Sequence, residues 1–196
     1  MGKIFFLMGK SASGKDTIYE KLLEDAGLGL LPYVGFTTRP MREGETDGTE
    51  YYFSNEEELA AFESEGRLIE KRVYHTVYGD WFYFSVDSGS VDLENKNYLY
   101  IGTLESFISF RSYYGRDAVI ALYIETDDGI RLQRAIKREQ SQAEPGYAEV
   151  CRRFLADSED FSEEKLREAG IEKRFTNNAA LNDCFNDVRA EIVSCL

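Results

Sequence analysis

Gly9-Lys10-Ser11-Ala12-Ser13-Gly14-Lys15 follows directly on the apolar run Ile4-Phe5-Phe6-Leu7-Met8 and leads into a pattern in which Ile18, Leu22, Leu23 and Ala26 recur at helical spacing. Strand, glycine-containing loop and helix in that order predict a phosphate-binding loop. Gly9 and Gly14 let the backbone curl with its N–H groups pointing inward, where a side chain would block an anion. Lys15 brings a mobile positive charge, and the first helical turn adds the positive end of its dipole. The implied ligand is a nucleoside triphosphate, with Gly9, Ser11, Ser13, Gly14, Lys15, Asp16 and Thr17 as its candidate contacts. The pattern departs from the motif one place later. Asp16 stands where a Ser or Thr would hold Mg²⁺, and the hydroxyl of Thr17 comes one position late, so both are candidate metal ligands.

The 196 residues fit one α/β domain with small inserted lobes. A formal charge of −13 and a pI near 4.6 argue against a nucleic-acid partner, which wants a basic surface. A small phosphorylated ligand needs only a local positive pocket. Hydrophobic residues at 43% and aromatics at 14% predict a well-filled core rather than disorder. Cys151, Cys184 and Cys195 are scattered and lack metal-ligand spacing, which predicts reduced thiols and a cytoplasmic setting. No apolar stretch approaches membrane-spanning length, and the opening strand is too soon interrupted by lysines to be a signal peptide.

The first helix is predicted over residues 15–26, ended by Gly27, and a strand over 30–37. From 38 to 87 the texture changes to paired tyrosines, glycines, an acidic helix at 55–65 and an aromatic strand at 81–84, which reads as a lobe of its own. Alternating strand and helix patterns return at 98–102, 104–113 and 118–124, predicting a parallel sheet flanked by helices. A charged helical stretch over 128–169, broken near Pro145-Gly146, carries Arg131, Arg134, Lys137, Arg138, Arg152 and Arg153. A last strand at 174–177 and an amphipathic helix at 181–196 complete the chain, and the lone His75 has no catalytic partner spacing.

The most specific stretch after the loop runs from Thr37-Thr38-Arg39-Pro40-Met41-Arg42 through Glu50-Tyr51-Tyr52-Phe53. Two arginines three apart with a tyrosine nine residues on can converge on one phosphate, because guanidinium groups offer paired donors to its oxygens. Joined to the phosphate-binding loop, this segment resembles the guanylate kinase family over nearly the whole chain. The resemblance implies a P-loop-type three-layer fold whose core is 1–37, 88–134 and 155–196, with a nucleoside-monophosphate lobe at 38–87 and a helical lid at 135–154. It implies phosphoryl transfer from ATP to GMP with Mg²⁺. Arg39, Arg42, Tyr51 and Tyr78 would grip the acceptor phosphate, Glu70 would accept hydrogen bonds from the guanine edge, and Asn177 would lie near the adenine of ATP. Lys15, Arg39, Arg138 and Arg152, or Arg153 in place of the last, would surround the transferred phosphoryl as catalytic residues.

Several positions depart from the family. Its Asp-x-Asp pair is absent from Tyr98-Leu99-Tyr100-Ile101-Gly102-Thr103, small hydroxyl residues are replaced by Gly35, Phe36 and Asp80, and the role of the loop's second glycine in capping the helix falls to Ala12. Asp16 either orders Mg²⁺ or repels the triphosphate. Gly-Lys-Asp also resembles the ribosyl bisphosphate phosphokinases, so a sugar-phosphate acceptor is an alternative. A non-catalytic binding module is the third, against which Lys15 and the lid arginines argue.

Overall fold

Every side chain of β1 (Ile4–Met8) is sealed from solvent, and successive residues enter different clusters, Ile4, Phe6 and Met8 one, Phe5 and Leu7 the other. A strand buried on both faces belongs at the centre of a covered parallel sheet. The computed structural model describes residues 2–76 and 79–196. After β1 come α1 (Lys15–Glu24), β2 (Leu30–Pro32), β3 (Phe36–Thr37), β4 (Tyr52–Phe53), α2 (Glu56–Ser64), β5 (Leu68–Thr76) and β6 (Gly79–Val86). Then follow β7 (Asn97–Ile101), α3 (Leu104–Tyr114), β8 (Val119–Glu125), α4 (Asp128–Gln140), α5 (Tyr147–Asp160), α6 (Glu163–Glu168), β9 (Arg174–Thr176) and α7 (Leu181–Cys195).

The core sheet has the order β2-β7-β1-β8-β9 with every pairing parallel. Ile18 and Leu22 of α1 pack with Val188 and Ile192 of α7 on one face, while Phe107 and Phe110 of α3 and Leu166 of α6 cover the other. This is the expected three-layer α/β architecture. Phe6 anchors the second face, its ring meeting those of Tyr100, Phe107 and Phe110 edge-on at 5.0, 5.5 and 5.2 Å.

The second sheet runs β4-β3-β6-β5, and α2 covers it through Leu59 and Phe62 against Phe36, Phe84 and Val86. Asn55 caps α2 by accepting from Glu58 N at 2.9 Å.

Three expectations are corrected here. The strand predicted over 30–37 is two strands in two sheets: β2 pairs with β7 in the core, and β3 pairs with β4 and β6 in the lobe. The chain therefore crosses between sheets at 33–35, ahead of the division placed at 37/38. α1 stops at Glu24 because Asp25 turns extended and its side chain takes the Gly27 N–H at 2.9 Å. The charged stretch 128–169 breaks a second time after α5, where Phe161 leaves helical geometry and stacks on Tyr123 at 5.7 Å. The segment 135–154 begins inside α4 and ends inside α5.

Candidate functional site

The loop between β1 and α1 has the shape its sequence predicts. A Cβ on Gly9 would sit 2.5 Å from the Ile124 carbonyl oxygen, and one on Gly14, whose φ is +89°, would collide with the Asn177 amide. Both positions thus need glycine, one for close approach and one for conformation. Gly14 is also the N-cap of α1. Ala12 does not cap the helix, as had been expected; it takes the left-handed turn at φ 61° inside the loop.

Lys15 opens the helix, and its Nζ lies 3.6 Å from Asp16 Oδ2. Thr17 is exposed beside them. Among the described residues no group of three or more carboxylate, His or Cys side chains gathers as a metal cage. Mg²⁺ seldom needs one, since it keeps waters and takes one or two protein oxygens together with phosphates. The exposed carboxylate of Asp16, next to the cradle that Gly9 and Gly14 keep open, suits that coordination.

Asn177, expected near the adenine, lies at the base of the loop. It is buried beneath the loop, where its Nδ2 donates to the Ser13 carbonyl at 2.7 Å and its own carbonyl accepts from Arg134 at 3.0 Å. These bonds tie the end of β9 to the loop and to α4. Ser13 is likewise sealed, so of the two loop serines only Ser11 remains open to a neighbour.

Ser11 is where the helical segment meets the loop. Its N–H donates to Asp157 Oδ2 at 2.7 Å, its carbonyl accepts from Arg131 Nη1 at 3.0 Å, and its hydroxyl accepts from Arg153 Nη2 at 3.2 Å. Arg131 is 1% exposed, paired with Asp128 at 2.6 Å and stacked over Phe154 at 4.8 Å. Arg138 lines the same groove as Ser11 and Arg153. Arg152 does not: it points outward and pairs with Glu149 at 2.6 and 2.7 Å. Adjacent residues on a helix lie about 100° apart around its axis, so only one of the two arginines can face the loop, and it is Arg153. Neither the burial of Arg131 nor the reach of Asp157 had a sequence signal, because both depend on how α4 and α5 pack.

In the lobe, Arg39 is buried and already committed. Its Nη1 and Nη2 donate to Glu45 at 2.7 and 2.5 Å, and the guanidinium lies over the Tyr51 and Phe53 rings. Glu45 also accepts from the Arg42 N–H at 2.7 Å, and the hydrogen bonds from Arg39 hold its carboxyl well below the usual range, at about 2. The pair ties the loop on which Arg42 stands, so Arg39 acts here as a frame for the phosphate grip expected of it. Arg42 is exposed, Tyr51 faces a cleft, and Tyr78 lies outside the described residues.

Glu70 sits at the junction of lobe and core. Its carboxylate accepts from Ser85 Oγ at 3.0 Å and Ser106 Oγ at 3.2 Å, and Arg72 Nε approaches at 3.3 Å. Tyr100, on the strand that lacks the family's aspartates, contacts Ser85 Oγ at 3.0 Å through its hydroxyl, and burial drives its phenol far above the ordinary range. Neither Ser106 nor Arg72 carries a motif signal in the sequence, although Arg72 lies two residues from Glu70 on the same strand. Outside the site, the exposed His75 bonds Asp80 at 2.7 Å.

A family model described as guanylate kinase matches residues 1–84, which hold the loop, the arginine segment and most of the lobe. A guanylate kinase of Porphyromonas gingivalis is 28% identical over 185 residues, 86% of this chain and 96% of that relative. One from Legionella pneumophila is 35% identical over 85 residues, covering 43% of this chain and 39% of its own length. The crystal structure of guanylate kinase from Anaplasma phagocytophilum superposes with a TM-score of 0.61 at 24% identity over 99% of this chain and 88% of that one, a likeness of fold.

Proposed function

We propose that the chain is a guanylate kinase, in keeping with the family model over residues 1–84 and the full-length likeness to the Porphyromonas gingivalis enzyme, and that it transfers the γ-phosphoryl of ATP to GMP. The observation that carries the kinase half is the cradle between β1 and α1, held open by Gly9 and Gly14 with Lys15 at its mouth. The inward N–H groups of the loop and the Lys15 ammonium hold the β and γ phosphates. Asp16 and Thr17 offer oxygens to Mg²⁺, which when bound neutralises phosphate charge. Arg153 and Arg138, on the groove beside Ser11, face the charge that develops on the transferred group's oxygens. Arg42 and Tyr51 bind the acceptor's phosphate, with Arg39 and Glu45 fixing the loop that presents them.

Because both Glu70 oxygens already have hydroxyl partners, the base half rests on the likeness to the guanylate kinases more than on an open carboxylate. A coupled ADP-release assay with Mg·ATP across GMP, dGMP, AMP, UMP, CMP and ribose bisphosphate tests the reading. Turnover with GMP above the other acceptors is expected. Turnover with ribose bisphosphate alone would assign a sugar-phosphate kinase, and none with any acceptor would leave a binding module.

A further inference from the structure

β5 places Glu70 and Arg72 two residues apart, so both side chains leave the strand on one face. They differ in access. The Glu70 side chain is 6% exposed and that of Arg72 29%, and it is Arg72 that lines the cleft walled by Tyr51, Tyr74, Trp81 and Tyr83. Glu70 already accepts one hydrogen bond on each oxygen, from Ser85 and from Ser106, inside the junction of lobe and core. Arg72 Nε stands 3.3 Å from Glu70 without hydrogen-bond geometry and has no hydrogen-bond partner among the described residues. The carboxylate thus holds the guanidinium by charge on its buried Nε side, and no hydrogen bond among the described residues takes its two Nη groups. A planar cation with paired N–H donors, set among aromatic rings, suits a flat ligand whose edge carries two adjacent acceptors. Guanine presents such a pair in O6 and N7, whereas adenine sets an amino donor beside N7 and pyrimidines have no N7.

Resting on the reading of GMP as acceptor, we propose that Arg72 recognises the guanine by donating to O6 and N7, and that Glu70 is a positioning residue holding the guanidinium from behind. Base recognition then moves from the carboxylate to the cation, in a chain whose strand at 98–103 lacks the family's two aspartates.

The test is calorimetry on the full chain with GMP, AMP and 7-deaza-GMP, which lacks the N7 acceptor, run beside an assay for GDP formation. Wild type should bind GMP roughly 5- to 150-fold more tightly than either analogue, the range that a bidentate arginine–guanine pair gives. Arg72→Gln and Arg72→Lys should both erase that ratio, since lysine keeps the charge but not the fork, and neither should shift the KM for ATP. Retention of the ratio by the folded variants, or its restoration by lysine alone, overturns the proposal. Equal wild-type binding of GMP and 7-deaza-GMP overturns it too, whatever the variants do. If the ratio is present and lost in both variants while no GDP forms, Arg72 stands as the guanine reader and the kinase reading fails on its own.

Discussion

Ala12 carries φ 61°, the only left-handed non-glycine backbone among the described residues, in a loop whose neighbouring turns are made by Gly9 and Gly14. Left-handed geometry costs a residue with a Cβ roughly 1–2 kcal/mol, part of which glycine forfeits through its freer unfolded chain. Ala12→Gly should therefore raise unfolding stability by about 0.5–1 kcal/mol, read from the urea midpoint. Glu45 makes a second single-residue prediction. Its carboxyl titrates near 2 in the folded chain against 4.5 ordinarily, so the stabilisation it brings is complete above 4.5 and drains away as the pH falls through 2. Glu45→Gln should lower the urea midpoint at neutral pH, and the gap from wild type should close between pH 4.5 and 2. A gap independent of pH would mean that the Arg39–Glu45 pair is not what orders the loop.

At the scale of elements, α4 and α5 together join the charged segment to the loop, through Arg131 of α4 and Asp157 and Arg153 of α5 on Ser11. Arg153→Ala should lower kcat by roughly 10²-fold, the size of losing one preorganised donor to developing charge. Arg152→Ala should change kcat little and stability by less than about 0.5 kcal/mol, because its pair with Glu149 is solvated. Steady-state kinetics on the two variants decides it, and the reverse order would place Arg152 on the loop. Elements were legible where one pattern governed them. β1, the loop and α1 announce themselves by a doubly buried run, two glycines and a helical stripe. The split of 30–37 was hidden because both halves are extended and apolar, and nothing local records that the partner of one is β7 and of the other β6. The choice between Arg152 and Arg153 was hidden for a related reason, since helical phase against a neighbour is fixed by packing and not by residue type.

For the whole molecule, two sheets meet where Glu70 of the lobe bonds Ser106 of the core helix α3 and Ser85 meets Tyr100 of β7. The core's strength follows from its layers. Phe6→Ala, at a site with no exposure and three ring neighbours, should cost about 3–5 kcal/mol in chemical denaturation. Architecture and chemistry were legible to different depths: alternating elements announced the layered fold and the two glycines the open cradle before α1, while residues such as Asn177, whose amide bonds the loop from below, could be placed only by tertiary contacts. No helix among the described residues is long and apolar enough to cross a membrane. The central claim, transfer of the terminal phosphoryl of ATP to GMP, is tested most directly by following the label from ATP labelled at its γ-phosphorus when the chain is given GMP and Mg²⁺. The account predicts that the label appears at the β-position of GDP in step with ADP formation, and that Lys15→Ala abolishes its transfer. Label recovered only as inorganic phosphate, or equal transfer by Lys15→Ala, would contradict it.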